Sequence, residues 1–347
     1  MHILVTGCTG FVGSHTVAAL IDAGHTVRVL VRTPAKLAPA LEPLGISVSS
    51  LDIVGGTLTD RSAIKAAVEG CDATINAAAH VSLEQRDETT MWRINVEATR
   101  ALLAAAIRTQ PGPIITMSSL GAYVPFSGAV LNDSSPPSEG VGPYSRSKAA
   151  ALRDVVRFQE GGAPVISIAP GGIWGPNDPG MGDLATALRM LFRFGGDVVP
   201  RGTTYFIDVR DLAVCLATLV EREPTAHRYV LAGHEETIGQ FVARAARVSG
   251  RKLWSRTVPG RLTSGLGRGY DWAREHFAFV PQVPMSAESF RLLAATPKVD
   301  DRAVWTATGI APRPMDETMA DTIAWLLRDG IIDAKHVNPN VFAVPMR

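Results

Sequence analysis

The chain has only three cysteines, Cys8, Cys71 and Cys215, spread over 347 residues with no C-x-x-C spacing. That excludes a disulfide framework and a cysteine-based zinc site, and no metal is expected. Charged residues make up 19% of the sequence, and the formal net charge is +1. The basic residues are scattered, so no nucleic-acid surface is expected and phosphate recognition must be local. No apolar run reaches membrane-spanning length; residues 101–107 fall far short. A strand beginning at residue 2 or 3 leaves no room for a signal peptide, so a cytoplasmic protein is expected. Internal repeats and low-complexity segments are also lacking.

Glycine, by contrast, is plentiful and regularly placed near the amino terminus, at Gly7, Gly10 and Gly13. An apolar run precedes these glycines, and Val12, Val17, Leu20 and Ile21 follow with helical spacing up to Gly24. The order is strand, turn, helix, with a second strand over residues 26–31. Without a Cβ, glycine lets the backbone turn sharply and approach a pyrophosphate, which the free N–H groups of the helix then stabilise. Gly7, Thr9, Gly10, Phe11, Val12 and Gly13 are therefore candidate dinucleotide contacts, although the spacing is G-x-x-G-x-x-G rather than G-x-G-x-x-G. Cys8, inside this loop, is expected to be a small packing side chain. After the second strand, Arg32 stands where an acidic residue would bind the ribose 2′-hydroxyl of NAD. A cation suits a 2′-phosphate, so Arg32 is the candidate selector for NADP, helped by Lys36 or Arg28, with NAD as the alternative.

Strands and helices alternate through the first two-thirds of the chain. The pattern predicts strands at 47–51, 73–76, 114–117 and 165–169, and helices at about 61–68, 88–108 and 144–159. The fold class is α/β: a Rossmann-type doubly wound parallel sheet with a smaller, mixed α/β C-terminal substrate-binding domain. Residues 1–170 form the dinucleotide-binding part, with 203–222 returning to it through the strand Tyr205 to Asp208. Residues 171–202 and 223–334 form the substrate region, and 335–347 a tail, either flexible or strapped to a partner subunit. In such sheets ligands bind beyond the carboxyl ends of the strands, where Gly7, Ala77 and Ser119 gather.

Tyr144 and Lys148 lie four residues apart on the third of these helices, on one face. A neighbouring ammonium favours the phenolate and lowers the phenol's pKa. With Tyr144-Ser145-Arg146-Ser147-Lys148, the glycine loop, Ser119 before Gly121-Ala122-Tyr123, and Asn95 in Arg93-Ile94-Asn95-Val96, the chain resembles the extended short-chain dehydrogenase/reductase family. Pro170-Gly171-Gly172-Ile173-Trp174-Gly175-Pro176 is similar to the family's R-P-x-x-x-Y-G-P segment, and Trp325 looks like part of its closing helix.

The resemblance implies that Tyr144 exchanges a proton with the substrate oxygen while Lys148 lowers its pKa and binds the nicotinamide ribose. It also implies that Ser119, with Ser118 as fallback, holds the carbonyl, and that Asn95 supports a relay water. Ala77, Ala78, Pro170 and Ile173 become cofactor contacts. Departures from the pattern narrow the reaction. Ser119-Leu120-Gly121 lacks the carboxylates of the dehydratases, Ala169 replaces an arginine of sugar-nucleotide enzymes, Thr57 replaces an adenine-binding aspartate, and Leu152 stands where glutamate is frequent. The pattern is most similar to dihydroflavonol-4-reductase and 3β-hydroxysteroid dehydrogenase relatives, implying a bulky, weakly polar substrate. Tyr123, Val124, Phe126, Trp174, Met181, Met190 and Phe194 either line its pocket or belong to the core. A sugar-nucleotide epimerase with retained NAD, and a non-catalytic NADP-binding or structural protein, are the competing readings. A homodimer pairing the helices at 88–108 and 144–159 is expected.

Overall fold

Seven short apolar runs pair into one parallel sheet. The computed structural model describes residues 1–222, 226–277, 286–338 and Phe342. Strands β1 (His2–Thr6), β2 (Thr26–Val31), β3 (Asp52–Gly55), β4 (Ala73–Asn76), β5 (Ile114–Met117), β6 (Val165–Pro170) and β7 (Arg228–Leu231) lie in the order β7-β6-β5-β4-β1-β2-β3. Interior strands are covered on both faces, which is why β1 and β6 read as continuous apolar runs rather than alternating ones. The winding reverses between β1 and β4, and a crevice opens at their carboxyl ends.

The principal helices are α1 (Phe11–Asp22), α2 (Arg61–Val68), α3 (residues 88–109), α4 (Pro143–Glu160), α5 (Asp183–Phe194), α6 (Val209–Glu221), α7 (Ile238–Ser249), α8 (Gly260–His276), α9 (Ala287–Ala294) and α10 (Met315–Arg328). Val17 and Leu20 of α1 pack with Leu212, Leu216 and Leu219 of α6 on one face of the sheet. Ile64 and Val68 of α2, Leu102 and Leu103 of α3, and Leu152 and Val155 of α4 fill the other. Their starts follow local chemistry. Asp60 accepts the Ser62 N–H at 2.8 Å ahead of α2, and Pro143 occupies the first position of α4, where no N–H is needed.

Two expectations are corrected here. Residues 48–50 form a 3₁₀ turn, not a strand; the strand is Asp52–Gly55, registered by Arg28↔Asp52 and by an Arg28 Nε to Asp52 ion pair of 2.7 Å. As an edge strand it is largely exposed, so its apolar signal is weak. Thr203–Asp208 does not rejoin the main sheet. It pairs with Gly172–Trp174 and His234–Thr237 in a separate three-stranded sheet, while the seventh main strand is β7, beyond the expected boundary. Of residues 203–222, the helix α6 is the element that packs on the main sheet.

The smaller lobe has its own core, in which Trp174, Phe206 and Phe241 meet at ring-centroid distances of 5.0–6.2 Å beside Met319, Ile323 and Trp325. Most of the expected tail lies outside the described residues; within it, the Asn338 N–H bonds the Ser249 carbonyl at 2.9 Å and Phe342 packs on this core. No helix among the described residues is long and apolar enough to cross a membrane.

Candidate active site

Gly7 has φ +73°, and a Cβ on it would sit 2.7 Å from the Ala78 backbone. At Gly13 a Cβ would fall 2.1 Å from the Gly7 carbonyl oxygen, so the first turn of α1 presses directly on the end of β1. The Gly10 N–H closes the loop onto that same oxygen at 2.9 Å. Helix α1 has no side-chain cap and no acid in its first turn, leaving its first N–H groups to face a cleft lined by Gly7, Gly10, Phe11, Val12 and Gly13. This cradle fits a dinucleotide pyrophosphate. Thr9 lies on the loop but does not line the cleft. Cys8 is buried, and burial pushes its thiol up to about 12, as a packing role requires.

The cleft, about 800 Å³, continues past Ala77, Met117, Ser118 and Ser119 to Tyr144, Lys148, Pro170 and Ile173. Tyr144 stands in the first turn of α4 and Lys148 one turn later. The Lys148 Nζ donates to the Met117 carbonyl at 3.1 Å, and its side chain is almost wholly buried. Burial lowers its pKa to about 8. For Tyr144 the expected lowering by Lys148 is not among the influences on the phenol: burial pushes it above its ordinary value, a hydrogen bond with Ser119 opposes this, and the Glu288 and Asp183 carboxylates add to the rise. Ser119 Oγ also accepts the Gly121 N–H at 3.0 Å.

The buried Lys148 charge has a measurable cost. A lysine whose folded pKa is depressed destabilises the fold fully below that pKa, here about 8, and the penalty is relieved as pH rises towards the unfolded value of 10.5. The gap corresponds to about 3 kcal/mol. Lys148→Met should therefore raise the apo melting temperature at pH 7 by several degrees and have much less effect near pH 10. A melting temperature lowered at both pH values would refute the strained-charge reading.

Asn95 lies in a π turn, Trp92–Ala98, that interrupts α3. Its Oδ1 accepts the His80 N–H at 2.8 Å, and its Nδ2 donates to the His80 carbonyl and to Ser147 Oγ, both at 3.0 Å. It does not bond Lys148 directly; a cavity of about 10 Å³ lies between them, lined also by Ala78, Thr99, Thr116 and Ser118, with room for about one water.

A model of the NAD dependent epimerase/dehydratase family matches residues 3–232, spanning the glycine loop, Tyr144 and Lys148. The chain belongs to that family. Sterol demethylase protein B of Methylococcus capsulatus is 29% identical over 96% of this chain and 100% of that protein. A putative dihydroflavonol 4-reductase of Synechocystis sp. is 28% identical over 94% of this chain and 95% of its own. Among solved structures, gox2253 superposes with TM-score 0.78 at 27% identity, covering 95% of this chain and 99% of that one. The family is enzymatic, and this member is an NAD(P)-dependent enzyme of the extended short-chain dehydrogenase/reductase type.

The remaining predicted residues of this family member fall partly in the cleft and partly outside it. Arg32 and Lys36 are exposed beyond β2. Arg28 is engaged by Asp52 and by the Ala66, Ala67 and Glu69 carbonyls, which removes it as a phosphate ligand. Val124, Trp174 and Met181 line the cleft, but Tyr123 is 1% exposed in the core, Phe126 packs on the α2–α4 layer, and neither Met190 nor Phe194 lines it. Sequence reading missed His15, whose Nε2 meets the Pro176 carbonyl at 3.1 Å and ties α1 to the 170–176 segment. It also missed Asp183, Leu292 and Thr296, which complete the cleft wall.

Proposed function

We propose that the chain is an NADP-dependent oxidoreductase that interconverts a ketone and a secondary alcohol on a bulky, weakly polar small molecule. The observation that carries this reading is the meeting of the glycine loop, Ser119, Tyr144 and Lys148 in one cleft, whose further wall joins Leu120, Val124, Trp174, Met181 and Leu292 with the charged Asp178, Asp183 and Arg189. A bound dinucleotide supplies the hydride chemistry. Gly7, Gly10 and Gly13 admit its phosphates, Ala77, Ala78, Pro170 and Ile173 flank it, and Lys148 holds its ribose. Tyr144 gives a proton to the substrate oxygen or takes one from it, and Ser119 donates a hydrogen bond to that oxygen. Asn95 fixes the turn of α3 beside the cavity behind Lys148. Names of relatives, a sterol demethylase protein and a dihydroflavonol reductase, support polycyclic or flavonoid-like substrates.

Arg32 sets the preference for NADP. Replacing it by alanine should weaken NADPH binding about tenfold or more, the worth of one charge-assisted hydrogen bond, and leave NADH nearly unchanged. Fluorescence titrations of the wild type that return equal affinities for the two cofactors would remove this assignment.

A further inference from the structure

The residue that precedes helix α4 in the capping position is a glycine, Gly142, which has no side chain to cap it. A cap arrives instead from α9 in the smaller lobe. Glu288 is 2% exposed, and its Oε1 accepts the Ser145 N–H and the Ser145 hydroxyl, each at 2.8 Å, while Oε2 accepts the Tyr144 N–H at 3.2 Å. Ser145 Oγ in turn accepts the Val141 and Gly142 N–H groups at 2.8 and 2.9 Å. Gly142 adopts an extended φ of −163° that any residue could take, so space accounts for the glycine. A Cβ there would lie 2.3 Å from the Glu288 carboxyl carbon.

Using Tyr144 as the acid/base group, as proposed above, we infer that Glu288 is a positioning residue: a carboxylate from the substrate side that caps the helix at Tyr144 and sets the pH at which this phenol exchanges its proton. Two effects share one direction. The carboxylate neutralises the positive end of α4, which would otherwise favour the phenolate, and its charge opposes that of the phenolate. The other groups facing this point are Lys148 on α4, Asp183 at the start of α5, the Ser119 hydroxyl, and Arg291 of α9, whose Nη1 donates to the Val141 carbonyl at 2.8 Å. Arg146 of α4 is paired with Glu88 at 2.7 Å, and Asp271 of α8 accepts the Ala287 N–H at 3.0 Å. Because Leu292, on the same helix as Glu288, lines the cleft, a substrate pressing on α9 bears directly on the tyrosine's support.

The test is an NMR titration of the full chain saturated with NADP⁺, using tyrosine isotopically labelled at Cζ. The sequence has five tyrosines, and the Tyr144 signal is assigned by its loss in Tyr144→Phe. In Glu288→Gln the Tyr144 midpoint should move to lower pH by about half a unit or more. Glu288→Asp should restore it in part. Gly142→Ala, whose methyl displaces the carboxylate, should shift it in the same direction and decides the matter should Glu288→Gln fail to fold. An unchanged midpoint in folded Glu288→Gln or Gly142→Ala overturns the inference. This readout needs no turnover, so a failed reading of Tyr144 as acid/base, seen as activity retained in Tyr144→Phe, is a separate result.

Discussion

Tyr144→Phe is expected to bind NADPH as the wild type does and to lose turnover by about 10²- to 10⁴-fold, the range that a positioned acid/base group contributes. Phenylalanine keeps the ring and removes only the hydroxyl. That hydroxyl stands by Ser119, and the cleft is lined there by Lys148 and, on the wall opposite the glycine loop, by Asp183. The measurement pairs a cofactor titration with the initial rate of NADPH consumption. A variant that binds NADPH normally and reduces a ketone at the wild-type rate would remove Tyr144 from the chemistry.

Gly13→Ala is expected to weaken dinucleotide binding at least about a hundredfold and to lower the melting temperature. The added carbon would lie 2.1 Å from the Gly7 oxygen and 2.8 Å from the Cys8 nitrogen, both backbone atoms that no rotamer change can move aside. Relief requires α1 to withdraw from β1, which carries the first-turn N–H groups away from the pyrophosphate. Overpacking of this kind costs about 1–3 kcal/mol of stability, so the protein should fold yet bind cofactor at least a hundredfold more weakly. Gly10→Ala, with its nearest contact at 3.3 Å, should be milder on both counts. Equal affinities in the two variants, measured by isothermal calorimetry, would contradict this account of the loop.

The parts of the fold read correctly from the sequence are those where local chemistry decides. Strands at 73–76 and 114–117 and the helix at 61–68 appear where apolar runs and caps place them. The failures have a shared cause. Tyr205-Phe206-Ile207-Asp208 and Arg228-Tyr229-Val230-Leu231 are equally apolar runs, and nothing local says which one joins β6. Periodicity fixes an element's type, while sheet membership depends on a distant partner. The candidate site shows the same division. Gly7, Gly13, Ser119, Tyr144 and Lys148 carry their spacing within short motifs, and the structure gathers them in one cleft. Glu288 reads only as an acid in the first turn of its own helix, yet it acts across 143 residues on another. Phe194, 64% exposed, and Tyr123, 1% exposed, show that an aromatic near the site cannot be assigned to a pocket from sequence alone.

The most direct test follows NADPH absorbance while the purified protein is offered a panel of steroid and flavanonol ketones, with any bound cofactor released by denaturation and identified beforehand. The proposed function predicts an empty or exchangeable site, consumption of one NADPH for each ketone reduced, and loss of that consumption in Tyr144→Phe. Tightly retained NAD, together with epimerisation of a sugar nucleotide and no net cofactor consumption, would contradict it.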